Sequence, residues 1–512
     1  MYSVAIEHLE YRRLKPIWQK VEDCINGEEV IKSKKDLYLP RPSGMQLGTK
    51  EGEEAYQSYI ARGHFPSYVS KFLSALTGIT KLNPPKITLP PSLEYLKENC
   101  DGEGTPLDVF FYQSVTESLK SGRQLLFVDV DTEFDRLKLV RYNATDIINW
   151  GVVDRVFNNK DVDFIVIREY INNSNDIFEH EYEEQYRVLT QRKFFIDELL
   201  PNELEEIDPY SLDNFVSILF DKSGNILEIS TPKLIGMSID RMPCVIIGST
   251  DLYINPDIIP LYGISSCALQ MYMKDADLSN SMFLTCNPTL CLTGITEHHG
   301  GFHTLVGSNV AITSENPDAK IYYTKTDASG LQEVRLAINM YLSEAQSMGS
   351  ALLSDNPKGV ESEGALRIKA ASTTASLSTV AQTCARGFER AIRYIAEWSN
   401  LDSKTVELEV DTNYLDNMMT NDDITSLVKL YINDVITHET TLTQLKNGNV
   451  LPEELNVTQE YELINKRKEE ALKRIEEKEL NTKMAKETLL NNHIKQTDRS
   501  QDDAIVDTKV NY

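Results

Sequence analysis

At 512 residues, 41% hydrophobic and 25% charged, the chain has room for roughly two to four domains and a large core. Its 78 Asp and Glu against 52 Lys and Arg give a formal net charge of -26, which argues against a conventional nucleic-acid surface built from basic residues. An acidic wall past which nucleic acid moves without sticking stays compatible with that charge, as does acidity that only keeps the chain soluble. No apolar run approaches the roughly 20 residues needed to span a bilayer, and the start has no basic region leading into an apolar core, so a cytosolic product is expected. The seven cysteines (Cys24, Cys100, Cys244, Cys267, Cys286, Cys291, Cys384) are scattered without a CxxC pair and are expected to be buried thiols, not a disulfide frame or zinc site.

Residues 1 to about 120 read as mainly helical, punctuated by Tyr38–Gly44 and Leu82–Pro91, whose prolines demand extended or turning backbone. A strand-rich region follows from Gln124 to about Ile247. Its alternating segments include Phe164–Ile167, Tyr186–Leu189 and Val216–Phe220, with Asp221–Asn225 as a hairpin turn. Helix is expected again from Pro256 to about Leu284, with Ile259, Tyr262, Leu269, Tyr272, Met273 and Met282 among its apolar positions. A compact β insert, roughly Pro288 to Gly330, follows it and contains Leu290–Gly294, Asn309–Thr313 and Ala319–Thr324.

From Leu331 through Val334, Ile338, Tyr341, Leu342, Ala345, Met348 and Leu352 the apolar residues step by three and four, which predicts a helix with one buried stripe. Pro357 and Gly359 break it. Glu361 and Glu363 suit the positive end of a second, longer helix, which runs through Leu377, Val380, Cys384, Phe388, Ile392 and Ile395 to Trp398. Its stretch Ala370–Ser376 is all small, so Ala371, Ser372 and Ala375 are candidates for close packing between helices or subunits. A strand candidate at Val406–Val410, a cap at Asn421–Asp423, a turn at Asn447–Asn449 and a charged helix over Gln459–Lys495 complete the pattern. The last residues, Gln496 to Tyr512, are expected to fray. The fold class is α+β.

Asp129, Asp131 and Glu133 follow an apolar strand, where acids could hold a divalent metal for phosphoryl or glycosyl transfer. A calcium loop would need glycine at Phe134 and an acid at Val140, so that version fails, and a solvated acidic turn is the simpler account. His298, His299 and His303 offer imidazoles, but no Cys or acid stands at a metal-ligand spacing and Gly300-Gly301 would bend any helix carrying them. No phosphate-cradling GxxxxGK[ST] loop, HExxH or GxSxG motif occurs, and no catalytic residue, metal or cofactor is expected.

A set of individually loose motifs, specific together by order and spacing, runs from end to end. It comprises Trp18, Val21, Asp23, Cys24 and Gly27; Tyr38–Pro42; Gly122–Asp129; Ile147–Trp150; and Met348–Leu353 with Glu361–Ile368. On these residues the chain resembles the portal proteins of tailed bacteriophages, in particular a branch known only as a domain of unknown function. The resemblance spans most of residues 10 to 400. It implies an elongated subunit with an α/β wing, a two-helix stem, a small β-rich clip and a helical crown. Residues 1–255 would be the first part of the wing, 256–286 and 331–353 the stem helices, and 287–330 the clip. Residues 354–364 would be a DNA-facing tunnel loop, 365–420 the rest of the wing and 421–512 the crown and tail.

The same resemblance implies a homo-oligomeric ring, usually a dodecamer, at one capsid vertex of the virion, assembled in the bacterial host cytoplasm. Double-stranded DNA would pass through it during packaging and ejection. The implied partners are the terminase large subunit, then a head–tail adaptor or tail protein, with the major capsid and scaffolding proteins around the ring; no membrane is involved. Asp355, Asn356, Lys358 and Glu361 would face DNA, Lys358 being the only base of its loop. His298, His299 and His303 would lie near a clip tip that docks motor and adaptor. Two other readings stay open: a metal-dependent phosphoryl- or glycosyl-transfer enzyme using Asp129, Asp131 and Glu133, and an oligomeric scaffold or adaptor assembled through the charged tail.

Overall fold

The computed structural model describes residues 3–131, 134–151, 162–174, 178–194, 213–234, 239, 241–287, 289–294, 316–324, 330–353, 363–412, 421–433, 435–447, 450–451 and 456–506. The chain divides into two compact units, Met1–Tyr414 and Leu415–Tyr512.

The first unit opens with helices α1 (Leu9–Asn26), α2 (Glu28–Ser33), α3 (Lys50–Arg62) and α4 (Tyr68–Leu82). Gly27, at φ 91°, lets α1 turn directly into α2, a conformation that favours glycine. After the short strand β1 (Lys86–Thr88) comes α5 (Leu107–Ser121), ended by Gly122 in the left-handed region. Ile258 O lies within 2.5 Å of where a β-carbon on Gly122 would sit, so the residue answers a steric demand as well as a conformational one.

The strands then form two antiparallel sheets. β2 (Arg123–Asp131) is central between β3 (Arg136–Asn143) and β9 (Cys244–Gly248), which explains the apolar run Leu125–Val128 and the burial of Arg123 and Gln124 beside it. β4 (Ile147–Gly151), β5 (Phe164–Asn172), β6 (Tyr182–Gln191), β7 (Phe215–Phe220) and β8 (Ile226–Ser230) make a five-stranded meander in that order, with a short helical turn α6 (Arg192–Phe194) after β6. The Asp221–Asn225 turn closes β7 to β8 as its sequence predicts: Asp221 N donates to Asn225 O at 2.9 Å and Gly224 takes φ 84°.

α7 (Tyr262–Cys286), the hairpin β10 (Thr289–Thr293) with β11 (Lys320–Thr324), α8 (Leu331–Leu353) and α9 (Glu363–Trp398) follow. β12 (Glu407–Glu409) pairs with β1, tying the end of this unit to its beginning. α5 and α9 pack on β2 and each other: Phe111 and Phe388 meet edge to face at 5.4 Å, and Gln124 Nε2 donates to Ser118 Oγ at 2.7 Å while Cys384 Sγ lies 3.5 Å from the same hydroxyl. Leu377, Val380, Cys384, Phe388, Ile392, Ile395 and Trp398 of α9 are all buried, as their spacing predicts.

The second unit holds α10 (Asn421–Ile432), α11 (His438–Asn447) and α12 (Val457–Val506). α12 continues ten residues beyond Gln496, where fraying was expected; no glycine or proline interrupts it. Two further expectations need correction. α7 begins at Tyr262 instead of near Pro256, because Pro260 cannot serve as a helix donor and fits only just ahead of the start. The cysteines are not uniformly buried: none of the seven is in a disulfide, but Cys244 and Cys291 are half-buried and Cys286 is exposed.

Arg123 is the largest fully buried side chain. Its guanidinium lies 3.7 Å from the Trp150 ring centre, on which His8 also stacks at 4.1 Å, and none of its three nitrogens has a hydrogen-bond partner. Burial pulls its pKa down to about 9.

Candidate functional site

α7 and α8 run antiparallel as a pair joined by the hairpin. Arg335, early in α8, reaches Met282 Sδ near the end of α7 at 3.9 Å, whereas Gly263 at the start of α7 faces Met348 late in α8. A β-carbon on Gly263 would lie 2.9 Å from Met348 Sδ, so glycine is what permits this approach. Between these points Cys267 faces Glu344. Burial first, and then the neighbouring carboxylate, push the Cys267 thiol up.

The first half of α7 is part of the core, with Ile264, Cys267, Ala268, Leu269, Met271, Tyr272 and Ala276 buried. α3 and the residues after it clamp its middle. Tyr59 Oη donates to Asp277 Oδ1 at 2.7 Å, the His64 backbone N–H donates to Asp275 Oδ2 at 2.7 Å, and the Arg62 guanidinium sits 3.7 Å from the Phe283 ring centre. Gly63 allows the contact: a β-carbon there would fall 2.8 Å from Ala276 Cβ. From α1, Cys24 Sγ approaches Ser265 O at 3.8 Å.

Alongside and past that clamp the character of the surface changes. Met282, Phe283 and Leu284 on α7, Ile321, Tyr322 and Tyr323 on β11, and Leu336 and Met340 on α8 are all exposed, Met340 to 72%. In α8, Ala345 is the one buried hydrophobic among the described side chains, so the stripe predicted as buried is only partly covered by this chain. Scattered single apolar side chains on a surface are ordinary; a run of them along two helices and a hairpin marks an interaction surface. Tyr262 and Met282, two of the apolar positions by which α7 reads as a helix, are exposed, because a helical period reveals which residues are apolar and not what covers them.

The residues singled out from sequence distribute unevenly. Asp355, Asn356, Lys358 and Glu361 lie outside the described residues, between α8 and α9, and His298, His299 and His303 lie outside them between β10 and β11. Ala371, Ser372 and Ala375 fall on α9, upstream of its buried half; Ala375 is exposed, and the first two are described through their backbone. Asp129 and Asp131 stand two apart on β2, where the register sets Lys138 and Arg136 opposite them. Arg136 reaches Asp131 Oδ2 at 3.7 Å, and Asp129 Oδ1 accepts from the Val130 N–H at 2.8 Å while burial pushes its carboxyl up. Cross-strand charge pairing therefore accounts for Asp131, while Asp129 is held by the Val130 N–H with Arg187 and Lys138 nearby. Glu133 lies outside the described residues, and among those described no group of three His, Cys, Asp or Glu is placed to hold a metal.

No curated protein matches the chain. Solved structures similar to it include a chain of the virion of a native gene transfer agent particle, at TM-score 0.36 and 8% identity over 77% of this chain and 93% of that one. Another, from the neck of an empty particle of the same kind, has TM-score 0.36 and 11% identity over 76% and 92%. A family model described as a domain of unknown function (DUF4055) matches residues 260–399. The stretch this model picks out begins at the entry to α7 and ends just past α9, so it coincides with the helix pair, its hairpin, the break and the long helix.

Proposed function

We propose that the chain is a subunit of a ring-shaped portal of a tailed-phage-like particle, a structural channel for double-stranded DNA with no catalysis of its own. The observation that carries this reading is the helix pair α7/α8, rooted in the core at one end and lined with exposed apolar side chains beyond it. A monomer gains nothing from such a surface, whereas neighbouring copies in a ring bury it. The order of elements supports the same reading: helix, β hairpin, helix, break, long helix is the stem, clip, stem, tunnel loop and wing helix that the sequence resemblance implies.

In this assignment residues 1–255 and 365–420 form the wing, α7 and α8 the stem, 287–330 the clip and 421–512 the crown. The clip serves as the docking surface for the terminase motor and later for the adaptor or tail protein, with His298, His299 and His303 near its tip. Lys358, the only base between 354 and 364, contributes one weak phosphate contact per copy, and the acidity of the chain limits adhesion elsewhere. Weak contact blind to sequence is what passage of a duplex requires.

Electron microscopy of the purified full chain, with mass measurement in solution, tests the assembly. A closed ring is expected; a monomer or dimer under all assembly conditions overturns the reading. For the loop, Lys358→Ala is expected to reduce packaging or retention of DNA while leaving ring formation intact.

A further inference from the structure

The end of the five-stranded sheet carries an unexplained surface. β5 and β6 stay paired as far as Asn172 opposite Tyr182, but their outer part has left the core: Tyr170, Ile171 and Tyr182 are exposed, and Phe178, beyond the last pair, is 84% exposed. Because Tyr170 and Ile171 alternate, the arm shows exposed apolar side chains on both faces of the hairpin. Beside it lies a cavity of about 730 Å³ whose walls include Tyr170, Ile171, Tyr182, Glu183, Lys222 and Leu227.

Beyond Arg168, whose guanidinium lies 5.8 Å from the Tyr170 ring centre, the charge of the arm is one-sided. From Glu169 to Glu184 the sequence has Glu169, Asp176, Glu179, Glu181, Glu183 and Glu184 and no Lys or Arg. Two of these acids are neutralised within the fold, Glu169 by Arg187 at 2.7 Å and Glu184 by Lys222 at 3.3 Å. Glu183 accepts only the Asn173 amide, at 2.9 Å, and neither Glu179 nor Glu181 has a basic partner among the described residues.

We propose that this arm and its cavity dock an extended basic segment of a different polypeptide. Its Lys or Arg side chains would pair with Glu181 and Glu183, while an aliphatic side chain between them fills the cavity against Tyr170, Tyr182 and Leu227. β8, the outer strand of the sheet on which Leu227 stands, offers main-chain groups along which such a segment can run. Nucleic acid is repelled by the same carboxylates. A second copy of this chain would bring an equally acidic arm, so pairing arm to arm would set like charge against like. The inference stands apart from the ring reading, since it concerns neither α7 nor α8.

The test uses the full chain and three labelled peptides of equal length: one alternating Lys and Val, one all Lys, and one alternating Glu and Val, with fluorescence anisotropy as the readout. The Lys–Val peptide is expected to bind, more weakly as salt rises, and the Glu–Val peptide not to. Tyr182→Ser and Glu183→Lys, both at exposed positions, are expected to weaken Lys–Val binding by at least about tenfold while leaving the melting curve unchanged. Unchanged binding by these variants overturns the proposal, and so does all-Lys binding as tight as Lys–Val, which would reduce the effect to bulk charge. Loss of self-association in the variants, measured by sedimentation velocity, with peptide binding retained, makes the occupant a second copy and overturns it as well.

Discussion

Tyr59 Oη donates to Asp277 Oδ1 at 2.7 Å and so fastens α3 to α7 just where α7 leaves the core. Tyr59→Phe removes the donor and leaves the carboxylate without it, at an expected cost of about 1 kcal/mol in urea unfolding of the first unit. Burial and this hydrogen bond hold the Tyr59 hydroxyl protonated far above its ordinary range. Above about pH 10 the unfolded chain releases that proton while the folded one keeps it, so the unfolded state binds fewer protons and stability falls as pH rises. The wild-type chain is therefore expected to lose stability more steeply than Tyr59→Phe above that pH.

Gly63→Ala places a methyl group against Ala276 Cβ and the Tyr272 ring, neither of which can rotate away. Its backbone φ of -67° suits any residue, so the effect is overpacking alone. A loss of about 1–3 kcal/mol is expected, read from the unfolding midpoint. Gly63→Ala combined with Ala276→Gly should recover part of it.

Met340→Glu tests whether the apolar surface of α8 belongs to an interface. The side chain is 72% exposed in the single chain, so the isolated subunit should change by no more than about 0.5 kcal/mol. Assembly should fail, because each interface would then bury an unpaired charge. Size-exclusion chromatography with light scattering separates the two effects; unimpaired assembly places Met340 outside any interface.

Thiol labelling gives an independent readout of the same region. Cys286, at the end of α7, is exposed, whereas Cys24, Cys100 and Cys384 are buried and pushed up to about 12. Thiolates are the reactive form, so Cys286 is expected to react with maleimide well before those three in the native chain. Protection of Cys286 on assembly would put the end of α7 within a subunit contact.

Arg123 carries a fully buried charge with no hydrogen-bond partner, offset by stacking on Trp150. Replacing such a charge with an apolar side chain of similar length is commonly neutral or stabilising by about 1–4 kcal/mol. Arg123→Met is expected to raise the unfolding midpoint or leave it unchanged; a loss larger than about 2 kcal/mol would mean that the cation–π contact outweighs desolvation.

Much of this fold is legible in the sequence where a segment's environment is set by its own pattern. Leu125–Val128 of β2 read as an apolar run because both faces are covered there, and the buried half of α9 reads as a helical stripe because sheet and helix press on it. α8 is bounded at Leu331 and Leu353 as its spacing predicts. Pattern fails where the covering partner is absent from the chain. Met282 and Met348 stand at helical apolar spacing and yet are exposed, and nothing in a period of three and four separates a face closed by the same chain from one left open. It fails too for the β5–β6 arm, whose Tyr170 and Ile171 look like ordinary strand residues until the strand is seen to outrun its core. Asp129 and Asp131 drew attention as a metal pair because their cross-strand bases, Lys138 and Arg136, are neighbours only once β2 and β3 are in register.

α9 runs without interruption from Glu363 to Trp398, a rod of roughly 54 Å at 1.5 Å per residue. Its C-terminal half is wedged between α5 and the β2–β9 sheet, where Gly387 lies so close to Ile247 that not even a methyl group fits between them. Any side chain larger than hydrogen at 387 would therefore have to displace Ile247, and with it β9 or the rod itself.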